Sequence, residues 1–238
     1  MAALPQPQQI PRNASPLWLR IGFWVCIVIA AAAVLRRLIA LAAPVQSGPP
    51  QMVSLDQAFA AHTALTLAHI VPAILFVLVA PFAVFSRFAR LRWPERMLFP
   101  LGAIVGLTAY AMTIYSIGGW IERSAIYLFD TLFLYSLGRA FAYRLREQSA
   151  LKRRWLLRST AILLGIATAR PVMGIFFATS PITHLTPSQF FGIAMWVGFS
   201  INLLVFELWI RSADRRSSAV GAASGPGFNS EASRGFSL

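Results

Sequence analysis

Charge is scarce in this chain. Only 12% of its 238 residues are Asp, Glu, Lys or Arg, against about 25% in an ordinary soluble domain. That is too little to cover a water-facing surface, so lipid must be the solvent for most of the chain. Acidic residues are scarcer still, with 8 Asp+Glu against 21 Lys+Arg and a net charge of +13. There is one cysteine, Cys26, which excludes an intrachain disulfide and a thiolate metal cluster and reads as a small buried hydrophobe. No Gly-rich phosphate loop, HExxH, GxSxG or CxxC occurs. The common nucleotide, zinc-protease, serine-hydrolase and dithiol chemistries therefore have no motif here. No nucleophile–base pair is recognisable either, and the reading leans away from an enzyme.

Apolar residues are abundant, at 57% of the chain, and the mean hydropathy is +0.64. They gather in six stretches, at 17–41, 58–85, 97–118, 124–143, 156–178 and 190–210, each near the roughly 20 residues that a spanning helix needs. The expected fold is all-α: a polytopic integral membrane protein whose six transmembrane helices form one bundle over 17–212. A Pro/Gln-rich tail, 1–16, and a Ser/Gly/Ala-rich tail, 213–238, flank it, and both compositions predict disorder. The "ALAA" at 40–43 resembles a leader cleavage site, but Arg36 and Arg37 stand between it and the apolar core, which disfavours cleavage. Gly102 and Gly106 form a GxxxG pair that would let a second helix approach closely.

The cations set the expected orientation. With the N-terminus inside, the inner segments carry sixteen Lys+Arg and the outer ones only Arg36, Arg37 and Arg123. That asymmetry predicts both termini on the cytoplasmic side of the membrane, with basic loops resting on anionic lipid headgroups. The pI near 11.5 is then a topology signal, and no nucleic-acid partner is expected, because no nucleic-acid motif accompanies it. Arg36 and Arg37 are expected to snorkel to the outer interface.

Ionisable side chains at depth cost at least about 2.5–3.5 kcal/mol each and call for a partner or a wet cavity. Arg170, directly before Pro171, lies twelve residues beyond Arg158, so about 18 Å from the inner surface. Asp130 lies at a similar depth in the fourth stretch, which predicts an Asp130–Arg170 pair, with Pro171 freeing a carbonyl beside it. The same arithmetic matches Arg139 with Glu207 as a second, structural ion pair. His69, Tyr110 and Thr113 reach the depth of the first pair, so an outward-facing pocket of His69, Tyr110, Thr113, Asp130 and Arg170 is expected. His184 falls in an outer loop, and with His69 it is the weak candidate pair for a metal or haem iron. No cofactor is expected on this reading.

Three segments, "LAHIVPAILFVLVAPFAVF" (67–85), "LKRRWLLRSTAILLGIATARPVMGIFF" (151–177) and "AMWVGFSINLLVFELWI" (194–210), resemble a bacterial group of predicted membrane proteins, the domain-of-unknown-function family 2306 (DUF2306). The resemblance covers about 55–212. It marks His69, Arg154, Trp155, Arg158, Arg170, Asn202 and Glu207, and it implies a fold and a topology but no activity. The chain departs from the pattern where Lys152 stands for a histidine and where "ERMLFPLG", with Glu95 and Arg96, replaces an H-R-x-x-G segment. Any ligands those histidines supply are lost here. The expected function is non-enzymatic binding or transport of a small ligand at the outer-half pocket. The alternatives are a haem-binding electron-transfer protein and a structural or assembly partner.

Overall fold

The computed structural model describes residues 16–43, 50–84 and 93–223. Among them there are helices and turns but no strand. The helices are α1 (Leu17–Ala42), α2 (Pro50–Ala60), α3 (Thr63–Val84), α4 (Trp93–Met112), α5 (Gly119–Leu145), α6 (Ser149–Leu163), α7 (Gly165–Thr183) and α8 (Pro187–Ala223). A 3-10 turn, Thr113–Tyr115, prolongs α4. Five segments are long and apolar enough to cross a membrane: Leu17–Ala42, Thr63–Ala83, Trp93–Tyr115, Ser149–Thr183 and Pro187–Arg215. Helix α5 has 27 residues, about 40 Å at the helical rise, but Glu122, Arg123, Asp130, Arg139 and Arg144 lower its hydropathy.

α5 nevertheless holds the centre. Its face of Phe129, Phe133, Leu137 and Ala140 is buried against Phe76 of α3, Leu98 of α4 and Leu156 of α6. Phe76 meets Phe133 edge to face at 5.7 Å. Gly102 and Gly106 turn toward α5, where a β-carbon would strike Leu137, Phe133 or Leu134, so the GxxxG pair opens room for large side chains of the facing helix. α1 packs at the side of the bundle, setting Ile27 and Ala30 on Val77, Leu164 and Ala167.

Three boundaries differ from the sequence reading. The second stretch divides at residues 61–62, and its first part belongs to the separate helix α2, whose polar positions hid it from a hydropathy reading. In the fifth stretch the helical ladder breaks at Leu164, between α6 and α7, while Pro171 is accommodated inside α7. The reason lies on α8. Gly165 approaches Phe199 so closely that a β-carbon there would lie 2.6 Å from its ring. Asn202 satisfies polar groups on both sides of the break, donating from Nδ2 to the Ala161 carbonyl at 3.4 Å and accepting from Thr168 Oγ1 at 2.8 Å. A carbonyl left by a broken helical ladder needs such a donor in lipid. Finally, α8 runs on to Ala223, so a tail beginning at 213 is not what forms. Ala213 is buried, and Asp214 accepts from Arg154 at 2.6 Å, which holds the added turn to α6. The tail at 1–16 lies almost wholly outside the described residues, as does 224–238.

The two ends of the bundle are built differently. At one end three cations of α6 each reach another helix: Lys152 to Glu95 of α4 at 2.5 Å, Arg154 to Asp214 and Arg158 to Glu207 of α8 at 2.5 Å. At the other end Asp56 of α2 receives Arg36 at 2.8 Å and Arg37 at 2.5 Å. The expected snorkelling of this pair is corrected for Arg37. Its guanidinium is turned inward over the Phe59 ring at 4.0 Å, because the unforeseen α2 brings it a carboxylate and an aromatic face.

Candidate functional site

A cavity of about 210 Å³ lies inside the bundle, running from the α2 end to the α6–α7 break. Its wall is mostly aliphatic and aromatic, and all eight helices contribute to it. Arg37, His62 and Tyr115 stand toward the α2 end, and Ile162, Leu163 and Ile166 at the helix break. His69, Asp130 and Arg170 come between them from three different helices.

Each of these polar groups has a definable situation. His62 stacks on Tyr115, with ring centroids 3.6 Å apart. His69 Nδ1 is 3.0 Å from Thr108 Oγ1, so the neighbouring helix fixes its ring. Glu122 is buried and its Oε2 accepts from the Gly118 amide at 2.6 Å. Arg37 is held by Asp56. Asp130 and Arg170 are different. Asp130 Oδ2 and Arg170 Nε are buried without a hydrogen-bond partner, a costly condition for groups of this polarity. The expected Asp130–Arg170 bridge is not closed: no ion pair joins them among those formed by the described residues. Both line the same cavity instead. Depth along the helix was enough to put them at one level, but depth says nothing about azimuth.

Of the five residues expected in the pocket, His69, Asp130 and Arg170 line the cavity, and Tyr110 and Thr113 do not. The Tyr110 hydroxyl is 2.6 Å from Thr131 Oγ1 and its ring stacks on Tyr127. Thr113 Oγ1 donates back to the Tyr110 carbonyl of α4 at 2.6 Å. The sequence reading missed Arg37, Thr66 and Glu122, and it put His62 on the face of His69 but left it out of the pocket. The i, i+7 spacing of His62 and His69 was a usable signal. Arg37 and Glu122 were hidden by lying at helix ends, where charge is ordinarily solvated. His184 caps α7 in a left-handed conformation, φ 54°, and is exposed. It does not line the cavity with His69. Among the described residues no three His, Cys, Asp or Glu side chains cluster as metal ligands.

The second expected pair is also corrected. Glu207 accepts from Arg158, with Nε at 2.5 Å and Nη2 at 3.0 Å. Arg139 donates instead to the Tyr143 hydroxyl at 2.6 Å, and its guanidinium lies 5.3 Å from the Trp155 ring centre. Arg158 lies over the same indole at 4.4 Å. Arg154, Trp155, Arg158, Asn202 and Glu207 thus all serve the contacts that α6 makes with α5 and α8. The cations of α6 meet acidic residues of both α4 and α8.

These features define a helical membrane protein with an internal, largely apolar cavity lined by two ionisable side chains, Asp130 and Arg170, each with a buried atom unpaired. The family model described as "Predicted membrane protein (DUF2306)" matches residues 66–210, more than half of the chain, and the chain belongs to that family. No curated protein and no solved structure matches it.

Proposed function

We propose that this protein binds, and in a cycle of opening and closing transports, a small amphipathic anion in the cavity. Arg170 receives the anionic group, Asp130 accepts from a hydroxyl or ammonium on the same ligand, and the apolar wall takes its body. In this reading α5 is the sixth span, both termini lie in the cytoplasm of a bacterial inner membrane, and the cavity stands in the outer half. The observation that carries it is the pair of buried, unpartnered atoms, Asp130 Oδ2 and Arg170 Nε, on two residues that line one cavity. Binding sites share this plan of an apolar pocket with a few convergent polar groups. Groups left unpaired in the empty protein are satisfied by the ligand, which favours the bound state.

The test is thermal unfolding of the purified full chain against a panel of short hydroxy- and amino-carboxylates. A member present at a hundredfold its Kd should add about 2.7 kcal/mol of stability. Arg170→Gln should abolish that shift, and Asp130→Asn should weaken it for the hydroxy and amino members only. A panel in which nothing moves the unfolding of the wild-type chain, or in which Arg170→Gln responds equally, removes the reading.

Orientation has its own check. A reporter active only in the cytoplasm should work when fused after residue 150 and fail after residue 184. The reverse pattern would turn the cavity to the cytoplasmic half.

A further inference from the structure

A second concavity, of about 410 Å³, lies at the cation-rich end between α5, α6 and α8. Leu132, Leu204 and Leu208 form its apolar wall, and Tyr135, Trp155, Arg158, Glu207 and Arg211 its polar one. Leu204 and Leu208 are exposed within a segment apolar enough to span the membrane, so lipid tails adjoin this wall.

The charges here do not balance. Arg158 is neutralised by Glu207. Arg211, one turn further along α8, is in no ion pair within 4 Å among the described residues, and neither is Arg139. Arg139 sits beside the groove against Tyr135 and Trp155, with centres 6.0 and 5.3 Å from its guanidinium. The aromatic faces hold its plane, and one N–H goes to Tyr143. A guanidinium has five N–H donors, so most of those of Arg139 remain unspent. It lies six residues from the end of α5, about 9 Å along the axis; with α5 crossing the membrane as proposed above, that is near the level where headgroups meet acyl chains and where Trp and Tyr belong.

We propose that this groove seats one anionic phospholipid, its phosphate between Arg139 and Arg211 and an acyl chain along Leu132, Leu204 and Leu208. Two unneutralised guanidiniums above an apolar channel complement a phosphate joined to a hydrocarbon tail. A free phosphate would leave the channel empty, and a zwitterionic lipid would bring its own cation to a site already positive.

The experiment is native mass spectrometry of the full chain in detergent with phosphatidylglycerol or phosphatidylcholine added. Wild type should retain one phosphatidylglycerol in preference to phosphatidylcholine. The double variant Arg139→Gln/Arg211→Gln should lose retention by roughly tenfold or more, as expected for two cations near the surface. Arg146→Gln, which removes an exposed cation of the same end, should retain the lipid as wild type does. Neither arginine of the double variant is in an ion pair, so its unfolding temperature should stay near wild type, and that is measured alongside. Equal retention of both lipids, an equal loss in Arg146→Gln, or displacement by millimolar inorganic phosphate would each overturn the proposal.

Discussion

Arg158→Ala should destabilise the bundle by about 2 kcal/mol, somewhat under the cost of removing one member of a fully buried ion pair, because this pair is partly buried. The partner left behind is Glu207, on the membrane-spanning part of α8, two bonds poorer. In lipid no water replaces the lost guanidinium, so the carboxylate must protonate or drag water inward. Arg158 also lies on the Trp155 face, and that contact disappears with it. The double variant Arg158→Leu/Glu207→Leu should recover most of the loss, because two well-packed apolar groups leave no charge stranded. Equilibrium unfolding in mixed micelles measures both. A double variant as unstable as the single one would mean that packing, not the stranded charge, dominates.

Gly198→Ala should be nearly as damaging, although it adds a single methyl group. The β-carbon would fall within contact of the Ala169 amide nitrogen and lie 2.6 Å from its Cα. Both are backbone atoms, so no side chain can swing aside, and α7 and α8 must separate. Overpacking of this kind costs about 1–3 kcal/mol, and here the separation also strains the Asn202 bonds across the helix break. Gly174→Ala on α7 is the control. Nothing lies within 4 Å of that position, so the substitution should be neutral or stabilise by up to about 1 kcal/mol. Similar melting temperatures for the two variants would show that the helices are not in backbone contact.

The contrast between these two glycines marks what the sequence could and could not tell. Apolar runs of about 20 residues located the spanning helices because lipid leaves the backbone few other solutions. The same runs were blind to α2, which is short and carries Asp56, and therefore to the true partner of Arg37. Helical rise put Asp130 and Arg170 at one level. It could not reveal which way each faces, and so the shared pocket was foreseen for these two residues while the bridge between them was wrongly drawn closed. Glu207 was given to Arg139 for the same reason: depth permits several partners, and Arg158 has the matching azimuth on the helix that packs against α8. Pro171 drew attention as the breaker, but the break depends on Gly165 meeting Phe199 of α8 and on Asn202 of α8 bonding to both sides of it, a tertiary cause with no local signature. Of the candidate pocket, the residues in mid-helix were legible as costly charges, while Arg37 and Glu122 passed as ordinary helix-end charges.

The charge content of α5 bears on how the chain is made. Helices α1, α3 and α4 are oily enough to leave the translocon for lipid on their own as synthesis proceeds. If α5 crosses the membrane as proposed, it is a poor candidate to do so alone: Asp130 lies near its middle and Arg139 within two turns of its end, each at a cost of up to about 3 kcal/mol. Yet its buried face is the one around which α3, α4 and α6 assemble. The helix that organises the finished bundle is thus the one least able to enter the bilayer unaided. On that reading its insertion should be coupled to the arrival of the helices that follow it, and a ribosome stalled before α8 should leave α5 uncommitted.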